Sequence, residues 1–314
     1  IVGGHLQHLV RQRVTRVPGH LSRGWYFFEV RLMDLPFPLV DVHTHLMPER
    51  LSLAVRRHFE QHLWKPRYAG SAEELVQTLL DVGVARFVFM PYAHRAEMSR
   101  SLNHWVANVQ STFTPHAIGF GTFHPDDDEV LPELASEAFG KLGLRGAKLH
   151  PQVGRFAVDD SRLYPVYERA IEHGAVLLVH AGRIPEDDEH VGARTFARVM
   201  RRFPQLRTIV AHAGADEFDA FFDLCGLYDG VFVDTAMVFS RYLGGPPPIQ
   251  RILEFQDRVL YGSDFPNIPY PLWDGVQAIL DLRLGRALEE KILCTNAARL
   301  LGLDPANFAP RPLP

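Results

Sequence analysis

Eight short apolar runs, each followed by a longer amphipathic stretch, restrict most strongly how this chain can fold. The runs are Leu39–His43, Ala85–Pro91, His116–Phe123, Leu144–His150, Ala175–His180, Leu206–His212, Gly230–Thr235 and Arg258–Gly262. They are continuously apolar rather than alternating, which is the pattern of parallel strands covered on both faces. Helical stretches lie between them at 72–82, 100–112, 128–142, 161–173, 192–203, 215–226 and 248–255, and 272–282 and 288–301 follow the last run. Ser71 and Ser161 sit where helix N-caps belong, and Gly143, Gly174 and Gly302 where helices stop. Eight strands alternating with helices predict an α/β chain folded as a single (β/α)8 TIM barrel. A doubly wound open sheet is the alternative, but it would want a glycine-rich phosphate loop after the first strand, where this chain has His43, Thr44 and His45.

The barrel is expected over residues 33–303, with a short tail at 304–314. Residues 1–32 differ in composition, with five Arg against one acid, Glu29. They read as an N-terminal extension upstream of a natural start at Met33, with an Arg-rich transit peptide as the alternative. The 46% hydrophobic and 22% charged composition excludes a disordered chain. No run of 18 apolar residues occurs, so no membrane span is expected. The net charge of −4 without a basic stripe argues against a nucleic-acid partner. Cys225 and Cys294 stand far apart, which fits a reducing cytoplasm better than a disulfide framework. The expected partner is a small-molecule substrate, and a homodimer is left open.

Histidine carries the chemical signal. Seven of the 16, at 43, 45, 94, 124, 150, 180 and 212, fall at or just after the end of an expected strand, where barrel active sites are built. His43 and His45 are two apart on a strand and so share a side, as a pair of imidazole ligands would. His180 and His212 each end an apolar run in the same His-Ala-Gly sequence, and Asp264 follows the eighth run. Lys148 and His150 end the fourth run and are candidates to face a substrate, as are His94, His124 and Arg183. The segment 46–70 reads as a long substrate-shaping loop carrying His58, His62, Trp64 and Arg67, and the loops 91–100 and 239–248 would share that task.

In this order, His43-Thr-His45, His180, His212 and Gly262-Ser-Asp264 resemble the amidohydrolase superfamily. The similarity is greater to its amidohydrolase-2 branch, which includes aminocarboxymuconate-semialdehyde decarboxylase-type enzymes. The stretches 144–151, 202–206 and 296–302 strengthen the resemblance. It implies that His43, His45, His180 and Asp264 bind one divalent metal at the C-terminal face of the barrel. Zinc is the default, with Mn, Fe or Co as alternatives. His212 and Asp264 would be the catalytic groups. The expected activity is metal-dependent hydrolysis of a small amide, lactone or related C–N or C–O bond through a metal-activated water. The alternative is non-oxidative decarboxylation of a small carboxylic acid at the same site. A carbamylated Lys148 bridging a second metal is a further option, weighed below a single ion.

Overall fold

The computed structural model describes residues 35–184, 188–240 and 245–308. The N-terminal extension, the segments 185–187 and 241–244, and residues 309–314 of the expected tail lie outside the described residues.

Each apolar run forms a strand: β1 Leu39–Thr44, β2 Val84–Phe89, β3 Ala117–Thr122, β4 Gly146–Leu149, β5 Val176–Val179, β6 Arg207–Val210, β7 Val231–Asp234 and β8 Val259–Leu260. All pair in parallel and in sequence order. The ring is joined through β1. Val42 N–H donates to Tyr261 O at 2.9 Å, Asp264 N–H to His43 O at 2.8 Å, and His45 N–H to Phe265 O at 2.6 Å. The doubly wound alternative is therefore excluded. β1, β3, β4, β5 and β7 are buried along their whole length, which explains why they read as unbroken apolar runs.

Local chemistry sets the outer helices. Ala72–Val82 begins in a reciprocal capping box. Glu74 N–H donates to Ser71 Oγ at 3.2 Å and Ser71 N–H donates to Glu74 Oε2 at 2.8 Å. Two expected helices are broken. In 128–142 the α-helix starts only at Leu131, because Pro132 in its first turn cannot donate to an earlier carbonyl, and a 3-10 turn at Pro125–Val130 precedes it. In 288–301 a π-helical turn at Lys291–Thr295 interrupts two short helices, and the Ile292 carbonyl there accepts the Tyr261 N–H at 2.8 Å.

The segment expected as a long loop contains a 14-residue helix, Glu49–His62. It starts at Pro48 without a side-chain cap and buries none of its residues, so the usual start signal and a full core stripe are both missing from its sequence. No helix among the described residues is long and apolar enough to cross a membrane.

Candidate metal centre

The strand ends of the barrel bring nine polar or ionisable side chains into one buried cluster: His43, His45, Tyr92, Lys148, His150, His180, His212, Asp234 and Asp264. Three acceptor atoms lie at its centre. His43 Nε2 is 3.2 Å from His45 Nε2, and Asp264 Oδ1 is 3.6 Å from the former and 3.0 Å from the latter. The opposite face of each ring explains why. His45 Nδ1 lies 3.1 Å from Met90 O, which can only accept, so Nδ1 carries the proton. His43 Nδ1 lies 2.9 Å from the Asp234 carboxylate. Both Nε2 lone pairs are thereby turned toward Asp264. Two lone pairs and a carboxylate at such distances require positive charge between them, either a proton or a divalent cation. The chemistry of the donor set, two neutral imidazoles and one carboxylate, fits a borderline divalent ion.

Backbone geometry delivers these groups. Asp264 at φ 67° and His212 at φ 57° both adopt the left-handed conformation, which Asp and His tolerate better than most residues. Ala213 and Met237 are left-handed as well, so unusual backbone is concentrated where β6, β7 and β8 end. Two glycines make room. A Cβ on Gly262 would stand 2.8 Å from His43 Cβ and 3.2 Å from Asp234 Cγ. A Cβ on Gly182 would stand 2.4 Å from Ala215 O, so the two loops that follow the repeated His-Ala-Gly abut through backbone alone.

Around the three acceptors, Lys148 is buried with Nζ 3.3 Å from His43 Nε2. Burial lowers its amine to about 8, against the opposing pull of Asp264 and Asp234. His43, His150 and His180 are held well below the ordinary imidazole value, in each case mainly by burial, so they are neutral as ligands must be. Burial alone would raise Asp264, but the close approach of the His45 ring, with His43 and His212 nearby, holds it down at about 2. His212 fixes its own tautomer, since Nδ1 lies 3.0 Å from the acceptor-only Ala236 O. Its ring centroid is 5.1 Å from that of His43 and 5.0 Å from that of His180.

Other expected residues stand outside the acceptor trio. His180 reaches the cluster but not the three converging atoms: its Nε2 lies 2.9 Å from Ile184 O and its ring stacks on His150 at 4.3 Å and 9°. His150 keeps a buried Nδ1 without a hydrogen-bond partner, beside the Tyr92 ring at 5.1 Å. His124 is fastened to backbone on both sides. It accepts from Asp126 N–H at 3.2 Å, capping a 3-10 turn, and its Nε2 lies 3.0 Å from Gly154 O. Both of its ring nitrogens are thus engaged by backbone. His94 is exposed. Arg183 pairs with Glu217 at 3.3 Å.

The sequence reading missed Asp41, Asp234 and Tyr92. Asp234 accepts from His212 N–H at 2.8 Å, from Ala236 N–H at 3.0 Å and from His43 Nδ1. Asp41 accepts from His43 N–H at 3.0 Å and Ser263 N–H at 3.1 Å, and burial pushes its carboxyl up to about 7. The signal was present: each is an acid inside an otherwise apolar strand. Tyr92 packs edge-on against His45 at 5.5 Å. Beyond His45 a cavity of about 330 Å³ opens under the helix Glu49–His62, lined in part by Met47, Val55, Tyr68 and Pro266.

A family model described as amidohydrolase matches residues 40–303, most of the chain and all eight strands. This protein belongs to the amidohydrolase-2 family. As a family member it is a metal-dependent enzyme. A relative in Dictyostelium discoideum, 2-amino-3-carboxymuconate-6-semialdehyde decarboxylase, is 23% identical in an alignment 303 positions long that covers 80% of each chain. Among solved structures, 5-carboxyvanillate decarboxylase from Sphingomonas paucimobilis superposes with TM-score 0.63 at 17% identity, over 85% of this chain and 100% of that one. The 5-carboxyvanillate decarboxylase from Novosphingobium aromaticivorans, complexed with manganese and a nitrobenzoic acid, gives TM-score 0.62 at 15% identity, over 85% and 96% of the two chains. At these identities the structural likenesses show that the amidohydrolase shares their barrel fold.

Proposed function

We propose that this amidohydrolase-2 protein is a divalent-metal-dependent, non-oxidative decarboxylase of a small carboxylic acid whose carboxylate is borne on an aromatic or enoic carbon. This reverses the order of the expectations from sequence, in which hydrolysis came first. One observation carries it: a buried cation, Lys148, stands beside the three metal-seeking acceptors, so an anion-binding group and a Lewis-acid site share one wall. The names of the relatives support the same reading, since the Dictyostelium protein and both structural neighbours are decarboxylases.

The overall change is RCOO⁻ + H⁺ → RH + CO2, which needs no oxidant. His43, His45 and Asp264 would hold the ion. When bound, it would supply a Lewis acid that draws negative charge from the substrate as the carbon–carbon bond weakens. Lys148 would bind the substrate carboxylate as a point charge in a low-dielectric setting. The cavity beyond His45 has room for a small planar body against apolar walls. The carbon that loses CO2 must gain a proton. His212 would deliver it: with Nδ1–H donating to Ala236 O, Nε2 takes no hydrogen bond from the described residues and can take up a proton from solvent and pass it to that carbon. Asp264, at the edge of the acceptor trio, is the second group able to carry a proton.

A single ion fits better than two. In the other acceptor group, His43, His212 and Asp234, the Asp234 carboxylate is taken up by His43 Nδ1 and two backbone N–H groups, and Lys148 is turned to His43 Nε2.

Metal-loaded protein incubated with 2,6-dihydroxybenzoate, 5-carboxyvanillate and a wider panel of benzoic and enoic acids tests the proposal through trapped CO2. The parallel arm offers lactones and amides and follows acid production. Release of CO2 from at least one acid is the expected result. Turnover of lactones or amides with no CO2 from any acid would restore hydrolysis.

A further inference from the structure

Outside the buried cluster, His58 and His62 are the one pair of imidazoles in ring contact among the described residues. They stand four apart on the helix Glu49–His62, so they share a face, with centroids 4.7 Å apart and planes tilted by 43°. Both are exposed, and neither hydrogen-bonds or ion-pairs with another described residue. The neighbouring Arg56 and Glu60 face each other instead, at 3.0 Å. Two imidazoles in ring contact, held on a regular helix, form a ready bidentate pair.

We propose that His58 and His62 form a second, surface site for an imidazole-seeking divalent cation of the Cu²⁺, Ni²⁺ or Zn²⁺ class, separate from the buried centre. Soft-to-borderline ions prefer such nitrogen donors, and Cu²⁺ binds them most tightly in the divalent series, whereas Mg²⁺ and Ca²⁺ want oxygen ligands. His62 is the last residue of its helix, where the helix dipole favours positive charge. With two protein ligands and water completing the shell, the site is weaker than the buried one.

The location gives the site a consequence. The preceding turns of this helix, through Ser52, Val55 and Arg56, line the cavity beside His45, and Val55 stands three and seven residues before the pair on the same side, yet the helix buries none of its residues. An element so lightly packed draws little stability from the core. A cation bridging positions 58 and 62 binds only the helical form, so mass action stiffens the cavity roof.

The test is titration of the full chain with Cu²⁺ after the buried site has been filled. Calorimetry is expected to show a further, weaker site, and its electron paramagnetic resonance signal to carry the hyperfine pattern of two imidazole nitrogens. His58→Ala and His62→Ala should each weaken this binding by about tenfold or more, as loss of one of two ligands requires, without changing the content of the tightly held ion. Amide exchange across 55–62 should slow with Cu²⁺ in the parent protein and not in either variant. No binding beyond the buried ion would overturn the proposal. So would equal binding by a His58→Ala/His62→Ala protein, which would place the ion on other exposed imidazoles such as His94 or His104.

Discussion

Asp234 Oδ2 lies 2.9 Å from His43 Nδ1, with both side chains wholly buried, and the same carboxylate accepts the backbone N–H groups of His212 and Ala236 through Oδ1. One acid on β7 therefore sets the tautomer of a residue on β1 and the backbone turn that presents His212. Its burial raises its proton affinity, a tendency opposed by His212, by the backbone donors and by Lys148. Partners of this kind orient metal ligands and raise their basicity.

Asp234→Asn should therefore cost metal affinity although residue 234 need not touch the ion. An amide NH2 opposite His43 Nδ1 sets donor against donor. The ring relieves this by moving its proton to Nε2, which removes a lone pair from the centre. Affinity is expected to fall about 10- to 100-fold, as for other groups that support a ligand. Competition with a chromophoric chelator measures it. Unchanged affinity would mean that His43 does not depend on Asp234.

Lys148→Met should separate substrate binding from metal binding. The substitution keeps an unbranched side chain one atom shorter and removes the charge that faces His43 Nε2 at 3.3 Å. Metal content should hold or rise, since a cation beside the site has been deleted. Catalytic efficiency toward a carboxylate substrate should fall by about 100-fold, mainly through KM, the scale of losing one partner of a buried charge pair. Loss of metal in this variant would instead make Lys148 part of the metal's support.

The strands and the histidines were legible because each rests on a local rule. Continuous apolar runs survive wherever a strand is covered on both faces, and a histidine closing such a run breaks the pattern in plain view. The helix Glu49–His62 was not legible for the complementary reason. It has no side-chain cap and no buried residue, so neither of the two signals that mark a helix is at full strength. Direction was the other limit. That His124 turns to Asp126 and Gly154, and His180 toward Ile184, is decided by the path the loop backbone takes after each strand, which no side-chain pattern marks. Asp41 and Asp234 show a different failing: an acid inside an apolar strand is visible at once, but its meaning depends on which ring stands opposite it.

The stability of the outer wall should carry an acid-sensitive cap, since Asp160, and not the expected Ser161, is the N-cap of the 3-10 turn Ser161–Leu163. Asp160 accepts from Arg162 N–H at 3.0 Å and pairs with the Arg162 side chain, which together hold its carboxyl below the usual value. A depressed carboxylate contributes stability that is fully present above the unfolded value of 3.8 and is lost as pH falls through the lower, folded value. Asp160→Ala is thus expected to cost about 1 kcal/mol near neutrality, the usual scale for a lost N-cap, and progressively less in strong acid. Urea unfolding of parent and variant at several pH values checks this. A penalty that persists undiminished in acid would mean that the cap does not act through its charge.

His212→Asn bears most directly on the chemistry. The ring donates from Nδ1 to Ala236 O and stands beside the His43 and His180 rings, near the acceptor trio but not within it. If it delivers the proton that replaces CO2, its removal strikes the chemical step and leaves the ion in place. Asparagine keeps a polar side chain able to reach Ala236 O but cannot carry a proton near neutral pH. Turnover should fall by roughly 10² or more, the usual loss for a proton-handling or charge-stabilising group, with metal content close to the parent's. The two readouts must be taken on the same preparation. Turnover that falls only in proportion to lost metal would make His212 a ligand, and proton delivery would then rest on Asp264.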